Sequence, residues 1–308
     1  MPSLSGFLPK HGEVRVEEET ERPELSIVLP AHNEGARVGA VVREIRALFP
    51  EAEVIVVDDA STDETPEEAR AAGATVLRHP YNKGNGAAVK TGLRHARGEK
   101  IVLMDADGQH RPADIPRLLA ALEEYDLVIG ARDPSTQASL ARRLGNAAFN
   151  ALATYLTGRP IPDLTSGFRA ARGDALREFI HLLPNGYSYP TTTTLAFLKA
   201  GYSVAFVPIQ SAPRQGGKSG VRLLQDGVRF VLIILRIVTL FTPLRVFFPV
   251  SVVLFFLSCL SAGYTMLIAE RRLHIPNSAA LLFTMSIIVF LIGLVSEQIA
   301  MLRFERKE

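Results

Sequence analysis

Short apolar runs rich in β-branched residues alternate with amphipathic stretches through the first two-thirds of the chain. Residues 25–29, 53–57 and 100–104 read as strands, each ending at Pro or Asp, and 127–130 and 202–208 continue the series. Between them, residues 35–49 put Val38, Val41, Val42, Ile45 and Leu48 on one helical face, and 65–72, 85–96 and 138–156 are also compatible with helix. Strand alternating with helix is the signature of an α/β domain: a Rossmann-like, mostly parallel sheet with helices on both faces. In such sheets ligands bind beyond the carboxyl ends of the strands. Three polar clusters, 30–34, 58–63 and 105–110, each begin where a strand pattern stops.

From Val228 the pattern changes. Residues 247–269 form an uncharged run of 23 residues, long enough at ~1.5 Å per residue to cross ~30 Å of hydrocarbon. A second uncharged run, 278–296, extends to 302, and the link 270–277 with Pro276 makes the two a transmembrane hairpin. Upstream, residues 211–245 carry six Lys or Arg against the single Asp226, a net +5, which by the positive-inside tendency puts this side in the cytoplasm. Arg271 and Arg272 in the far loop weaken the bias without reversing it. Arg222, Arg229 and Arg236 recur every seven residues beside Phe230, Ile233, Ile234 and Ile237. That is the pattern of a helix lying on a membrane surface, its arginines either snorkelling to headgroups or holding an anionic lipid. The chain thus divides into a mobile leader (1–24), an α/β domain (25–210), a basic loop with interfacial helices (211–246), the hairpin (247–302) and a cytoplasmic tail (303–308).

Composition narrows this little further. A net charge of +2 over 308 residues is too mild to imply nucleic acid as a partner. The lone Cys259, inside an apolar run, excludes an intrachain disulfide framework and a cysteine-rich zinc site, and fits a domain facing a reducing compartment. The leader is rich in Glu and lacks an apolar core of signal-peptide length, so no secretory signal is visible in it.

Candidate chemistry lies in the three clusters. Asp105-Ala106-Asp107 and Gln109 follow a strand and offer two carboxylates and an amide, half of a site for a hard divalent ion such as Mg²⁺ or Mn²⁺, or simply an acidic turn. In Asp58-Asp59-Ala60-Ser61-Thr62-Asp63 the carboxylates can accept hydrogen bonds from a base N–H or ribose hydroxyls, while Ser61 or Asp63 can cap the next helix. Pro30-Ala31-His32-Asn33-Glu34 adds an acid at a third strand end. The Gly-rich turn Asn82-Lys83-Gly84-Asn85-Gly86 can offer backbone N–H groups to phosphate or serve as ordinary helix entry.

These clusters in this order, followed by Ser166-Gly167-Phe168-Arg169, resemble family 2 glycosyltransferases, in particular the dolichol-phosphate mannose synthase-like and bacterial polyprenyl-phosphate members with two C-terminal transmembrane helices. The similarity runs from about residue 25 to residue 222. It implies a GT-A fold, inverting transfer from a UDP- or GDP-sugar to a polyprenyl (dolichyl or undecaprenyl) phosphate, a Mg²⁺ or Mn²⁺ cofactor, and a multi-pass protein of the cytoplasmic membrane whose catalytic domain faces the cytoplasm. By the resemblance Pro30, Glu34 and Asp59 hold the nucleoside, with Asp58 also on the donor side, Asp105 the donor ribose or the metal, and Asp107 and Gln109 the metal. Arg132 and one of Arg142 or Arg143 face the acceptor phosphate, with Ser166 and Arg169 on the same side; a solvated helix face is the other reading of Arg142 and Arg143. Arg214 and Lys218 neutralise the leaving diphosphate. Association of two-span relatives through their membrane helices makes a homo-oligomer a further expectation.

The chain departs from the family pattern at three places. Gly220 stands where a final Lys closes the R-x-x-G-x-S-K segment, His32 replaces a Tyr, and the run Tyr189-Pro190-Thr191-Thr192-Thr193-Thr194 lacks an acid carried by many relatives. An acceptor phosphate is already ionised at neutral pH, so the missing acid favours a lipid phosphate over a hydroxyl acceptor, which needs a general base. The competing readings are a membrane transferase acting on a glycan or lipid hydroxyl, and a non-catalytic nucleotide-sugar-binding scaffold.

Overall fold

All seven residues of β1 (Leu25–Ala31) are buried, as a strand inside a parallel sheet covered on both faces must be. In the computed structural model, which describes residues 22–132, 140–186, 189–210, 242–268 and 275–305, β1 pairs in parallel with β2 (Glu53–Asp58) on one side and β4 (Lys100–Leu103) on the other. Outside β2 lies β3 (Thr75–Arg78), also parallel. Beyond β4 comes β6 (Arg169–Arg172), antiparallel both to β4 and to β5 (Leu127–Arg132), and β7 (Val204–Ile209) runs parallel to β5. Among the described residues the sheet is therefore seven-stranded, in the order β3-β2-β1-β4-β6-β5-β7.

Each face of the sheet has its own core. On one side Ile27, Leu29, Val54 and Val56 pack against Val38, Val42 and Ile45 of α1 (Gly35–Leu48) and against Ile115 and Leu118 of α4 (Ile115–Leu122). On the other, Val28, Ile55, Val57 and Leu103 meet Ala88, Val89 and Leu93 of α3 (Asn85–His95), together with Ala153 of α5 (Leu140–Thr157) and Phe197 of α7 (Tyr189–Lys199). Short helices α2 (Thr65–Ala71) and α6 (Gly173–Glu178) complete the domain. Alternation of β1 side chains between these two cores is the period-two pattern of a strand buried on both faces.

Several elements were not anticipated from the sequence. β3 has four residues and its ends are exposed, so its apolar signal is weak. β6 is Arg-Ala-Ala-Arg, yet three of its four residues are buried, Arg169 included. α7 opens on Pro190 and four threonines, a β-branched run of low helix propensity. Burial overrides it: Tyr189 to Phe197 are all buried, and the Thr193 and Thr194 hydroxyls donate to the carbonyls of Tyr189 (2.8 Å) and Pro190 (3.0 Å) one turn back.

The hairpin consists of α8 (Leu244–Ile268) and α9 (Asn277–Glu305). Leu244–Leu267 and Asn277–Leu302 are long and apolar enough to cross a membrane, and only 11% and 17% of their most apolar windows are buried. Phe256, Leu260, Leu281 and Leu291 are among the large apolar side chains left on the outside, where hydrocarbon rather than water suits them. Between the helices, Ser258 Oγ donates to Ala279 O and Ser286 Oγ to Ser251 O, both at 2.8 Å. At Gly293 an added Cβ would lie 2.6 Å from Phe247 Cβ, so a small residue is what allows the close approach. Both helices also touch the α/β domain. Tyr155 of α5 donates to Arg245 O (3.0 Å) and accepts at its own carbonyl from Arg245 Nη1 (2.9 Å), while Glu297 of α9 accepts from Leu244 N (3.1 Å) and lies 3.7 Å from Lys199 Nζ of α7. The interfacial helix and the arginines expected between 211 and 241 lie outside the described residues.

Helix α3 seats on the sheet through Gly92, where a Cβ would run into Val28 Cγ1 and sit 3.2 Å from Val57 Cγ2. Gly92→Leu is expected to destabilise the protein by about 1–3 kcal/mol through overpacking, read as a lowered thermal midpoint of the detergent-solubilised chain. An unchanged midpoint would refute the close seating.

Candidate active site

Parallel pairing brings Ala31 of β1 level with Asp58 of β2, so the loops after β1, β2 and β4 leave the sheet along one edge. They enclose a cleft of about 340 Å³. Pro30 lines it from the end of β1, His32 and Glu34 from the loop that follows, Asp59 after β2, Asn82, Gly84 and Asn85 at the entry to α3, and Asp105 and Asp107 after β4.

The first two loops are tied together by side chain to backbone bonds. Asn33 (φ +55°) and Ala60 (φ +59°) occupy the left-handed region, a strained choice for residues with a Cβ. Asn33 is held there: its N–H donates to Ser61 Oγ (2.9 Å) and its Oδ1 accepts from Thr62 N (2.9 Å). Asp63 takes the capping role open to it in the sequence, accepting from Gly35 N at 3.0 Å and Thr65 N at 3.1 Å. Burial opposes its charge, but the bonds from Thr65 and Gly35 hold its pKa below the ordinary carboxylate value.

Asp58 and Asp59 have different surroundings. Asp58 is fully buried; its Oδ1 accepts from Ser61 N (3.0 Å), and its Oδ2 lies 3.1 Å from Arg78 Nε in an ion pair without hydrogen-bond alignment. It is not among the residues lining the cleft, and its partners belong to the loops around it. Asp59 does line the cleft. Its Oδ1 accepts from His79 Nδ1 (2.7 Å) and Lys83 N (2.8 Å), and its Oδ2 from Gly84 N (2.7 Å). Burial works to raise its pKa, and the bonds from His79, Lys83 and Gly84 outweigh it and keep the group a carboxylate.

After β4 the chain turns at Gly108 (φ +72°), and Asp107 Oδ1 accepts from Gln109 N at 3.0 Å. Behind Asp105 stands Gly167, whose missing Cβ would lie 2.6 Å from Asp105 Oδ2 and 3.1 Å from the Tyr189 hydroxyl. No group of three or more His, Cys, Asp or Glu able to hold a metal occurs among the described residues. Asp105 and Asp107 both line the cleft; two carboxylates are hard oxygen donors of the kind a divalent ion takes together with phosphate and water. His110, the next residue, is buried and stacked on Phe168 with ring centroids 5.2 Å apart; burial pushes its pKa down to about 4, so it is neutral packing at physiological pH.

On the far side, the Arg132 guanidinium grips Asp163: Nε donates to Oδ2 (2.8 Å), Nη2 to Oδ1 (3.1 Å) and to Thr165 Oγ1 (2.8 Å). Burial disfavours charge on both, but the pair offsets it, with Asp105 and Asp107 adding to the field at Arg132, so the arginine stays above and the aspartate below its ordinary value. Arg169 is fully buried, its Nη1 donating to Pro190 O (2.9 Å) and its Nη2 to Ser166 O, with Tyr189 beneath it at 5.9 Å; burial brings its pKa down to about 10. Ser166 is equally buried, and its Oγ has no partner among the described residues. Neither opens to an acceptor as expected; both sit under the cleft, bracing the loop that carries Gly167. Arg142 and Arg143 fall within α5 with their side chains outside the description, and Arg214 and Lys218 lie outside the described residues. Sequence reasoning passed over His79, which follows the weak strand β3, and Asp163, an acid in a loop just after Pro160 and Pro162.

Residues 26–180 match glycosyl transferase family 2, and residues 242–302 match the GtrB C-terminal hairpin. Undecaprenyl-phosphate mannosyltransferase of Micrococcus luteus is 33% identical over 206 residues, covering 62% of this chain and 85% of that protein. Dolichyl-phosphate hexose transferase of Haloferax volcanii is 33% identical over 197 residues, covering 63% and 85%. Among solved structures, glucosyl-3-phosphoglycerate synthase from Mycobacterium tuberculosis with Mn²⁺ and UDP-glucose superposes with a TM-score of 0.54 at 26% identity, over 70% of this chain and 78% of that one. Its complex with phosphoglyceric acid gives 0.56 at 26%, over 70% and 79%. With a family domain over half its length, the sheet and cleft described above, and the matching hairpin behind them, the chain belongs to glycosyl transferase family 2.

Proposed function

We propose that this enzyme moves a sugar, with inversion, from a nucleotide-sugar onto a polyprenyl phosphate at the cytoplasmic face of a membrane. The observation that carries the proposal is the joining, in one chain, of a carboxylate-lined cleft at the strand ends to a membrane-length hairpin. The named activities of the Micrococcus and Haloferax relatives support a polyprenyl-phosphate acceptor, and the basic segment before the hairpin supports the orientation.

In this proposal Pro30, Glu34 and Asp59 hold the nucleoside, and Asp105, Asp107 and Gln109 hold a divalent ion, Mg²⁺ or Mn²⁺. When bound, the ion supplies Lewis-acid stabilisation of the departing diphosphate. Arg132 orients the acceptor phosphate, already ionised at neutral pH, so that one of its oxygens attacks the anomeric carbon in line. The bond from that carbon to the diphosphate breaks, and the nucleoside diphosphate leaves with the electron pair. No proton has to be removed from the nucleophile. Arg214 and Lys218 are assigned to the leaving group, and Arg142 or Arg143 to the acceptor.

The test is a donor screen with purified protein in nanodiscs, with Mn²⁺ or Mg²⁺ and with or without undecaprenyl or dolichyl phosphate. Label should enter the organic phase only with added lipid phosphate. Donor turnover with no labelled lipid would instead favour a hydroxyl acceptor. Asp107→Ala should abolish metal-stimulated transfer in a folded protein, and full activity in EDTA would refute the metal assignment. Gly167→Ala drives a methyl into Asp105 Oδ2; turnover should fall about tenfold or more, as small misplacements in preorganised sites do, with the fold retained by circular dichroism. Arg132→Lys keeps a cation opposite Asp163 but loses the planar fork, and should raise KM for the lipid about tenfold while leaving donor KM nearly unchanged. An equal rise in both would remove Arg132 from the acceptor side.

A further inference from the structure

We infer that the donor site selects a uridine diphospho-sugar over a guanosine one, because Asp59 has a single acceptor position left for a base. The inference rests on the proposal that the cleft holds a nucleotide-sugar with its base at Asp59. A carboxylate has about four acceptor positions, two on each oxygen. On Oδ1 both are taken, by His79 Nδ1 and Lys83 N; on Oδ2 one is taken, by Gly84 N.

None of the three donors is placed to step aside. His79 is 5% exposed and is held from behind by Thr91 on α3, 2.9 Å from its Nε2. Lys83 and Gly84 donate from the backbone of the turn into α3. Gly84 stands at φ +97°, and a Cβ there would lie 2.6 Å from Asn185 O, so the turn is pressed against the neighbouring loop. Of the nearby acceptors, Asn85 Oδ1 has no partner but is buried out of reach of the cleft surface, and Glu34 Oε2 receives Arg37 Nη1 at 2.9 Å.

The bases differ in what they ask of such a group. Guanine presents two adjacent donors, the ring N1–H and the 2-amino group, which a carboxylate satisfies with its two oxygens side by side. With Oδ1 occupied, one of them would be desolvated without a partner, and unpaired polar groups are what give sites their discrimination. Uracil presents one ring N–H between two carbonyls and needs only the open position on Oδ2. Cytosine and adenine bring a bare ring nitrogen toward the carboxylate, lone pair against lone pair.

The experiment is equilibrium competition of UDP and GDP for the full-length protein in nanodiscs with Mn²⁺. UDP should bind about tenfold or more tightly than GDP, the range expected for one unpaired buried donor. His79→Leu opens a second position on Asp59, and the UDP to GDP preference should fall toward parity. His79→Gln, whose amide can still donate to Oδ1, should keep it. GDP binding as tightly as UDP in the wild-type protein would overturn the inference and leave the glycosyltransferase proposal standing. Binding of neither nucleotide would overturn both. An undiminished preference in folded His79→Leu would refute the lone-pair account, and if that variant does not fold, the wild-type ratio and His79→Gln decide.

Discussion

A charge removed from water at the end of a strand must be met by a partner within bonding distance, since a buried and unpaired ion costs several kcal/mol. At the carboxyl edge of this sheet the rule operates repeatedly. Asp58 is met by Ser61 N and Arg78, Asp59 by His79 and two backbone N–H groups, Asp163 by Arg132, and Arg169 by the carbonyls of Ser166 and Pro190. Each solution joins two segments distant in sequence. The first two fasten the loop after β2 to the end of β3 and the turn into α3, and the others fasten the segment before β6 to β5 and α7, so the walls of the cleft are braced before any ligand arrives. Asp105 and Asp107 are held at its wall by Gly167, which gives room, and by the turn at Gly108. A site arranged this way has little reorganisation left to do when charge develops on a leaving diphosphate.

The same bracing reaches toward the hairpin. Arg169 bonds the start of α7, and Lys199 at its end faces Glu297 on α9. The last turns of α5 meet the first turn of α8 through Tyr155 and Arg245. Glu297 also caps Leu244 N, so one carboxylate sits where both membrane helices and the α/β domain meet. An acid in an otherwise apolar helix is tolerated near the helix end, where such neighbours satisfy it. These contacts join the α/β domain to the apolar hairpin, an arrangement that suits the proposed lipid-borne acceptor.

What the sequence made legible follows from how local each signal is. β1, β2 and β4 are runs of Val, Ile and Leu that end abruptly in polar clusters, so both the strands and the edge at which they deliver Glu34, Asp59, Asp105 and Asp107 were readable. The hairpin was readable from uninterrupted apolar length. Distinguishing Asp58 from Asp59 was not, because adjacent strand residues point to opposite faces and their partners, Arg78 and His79, are set 20 residues away by a strand with little apolar signal. Arg169 misled for a related reason. In sequence it is a cation three residues after a serine, as a phosphate site would have, whereas β6 buries it among the carbonyls of Ser166 and Pro190, the Thr194 hydroxyl and the Tyr189 ring. The threonine run of α7 concealed a helix whose burial outweighs its propensity.

Arg132 occupies the point at which scaffold and chemistry meet. Its bidentate pairing with Asp163 settles the guanidinium plane and leaves Nη1 out of the bonds to that carboxylate. On the proposed assignment, an acceptor phosphate would therefore meet an oriented cation whose desolvation is already offset by Asp163, instead of a flexible one that must be ordered on binding. Asp163 also tempers the site: a lone buried arginine would hold a product as firmly as a substrate, whereas a shared one grips less. In the proposed reaction the sugar phosphodiester product would have one ionisable oxygen fewer than the monoester acceptor. On the proposed reaction, its weaker pull on a cation already paired would favour departure of the product once the new bond is made.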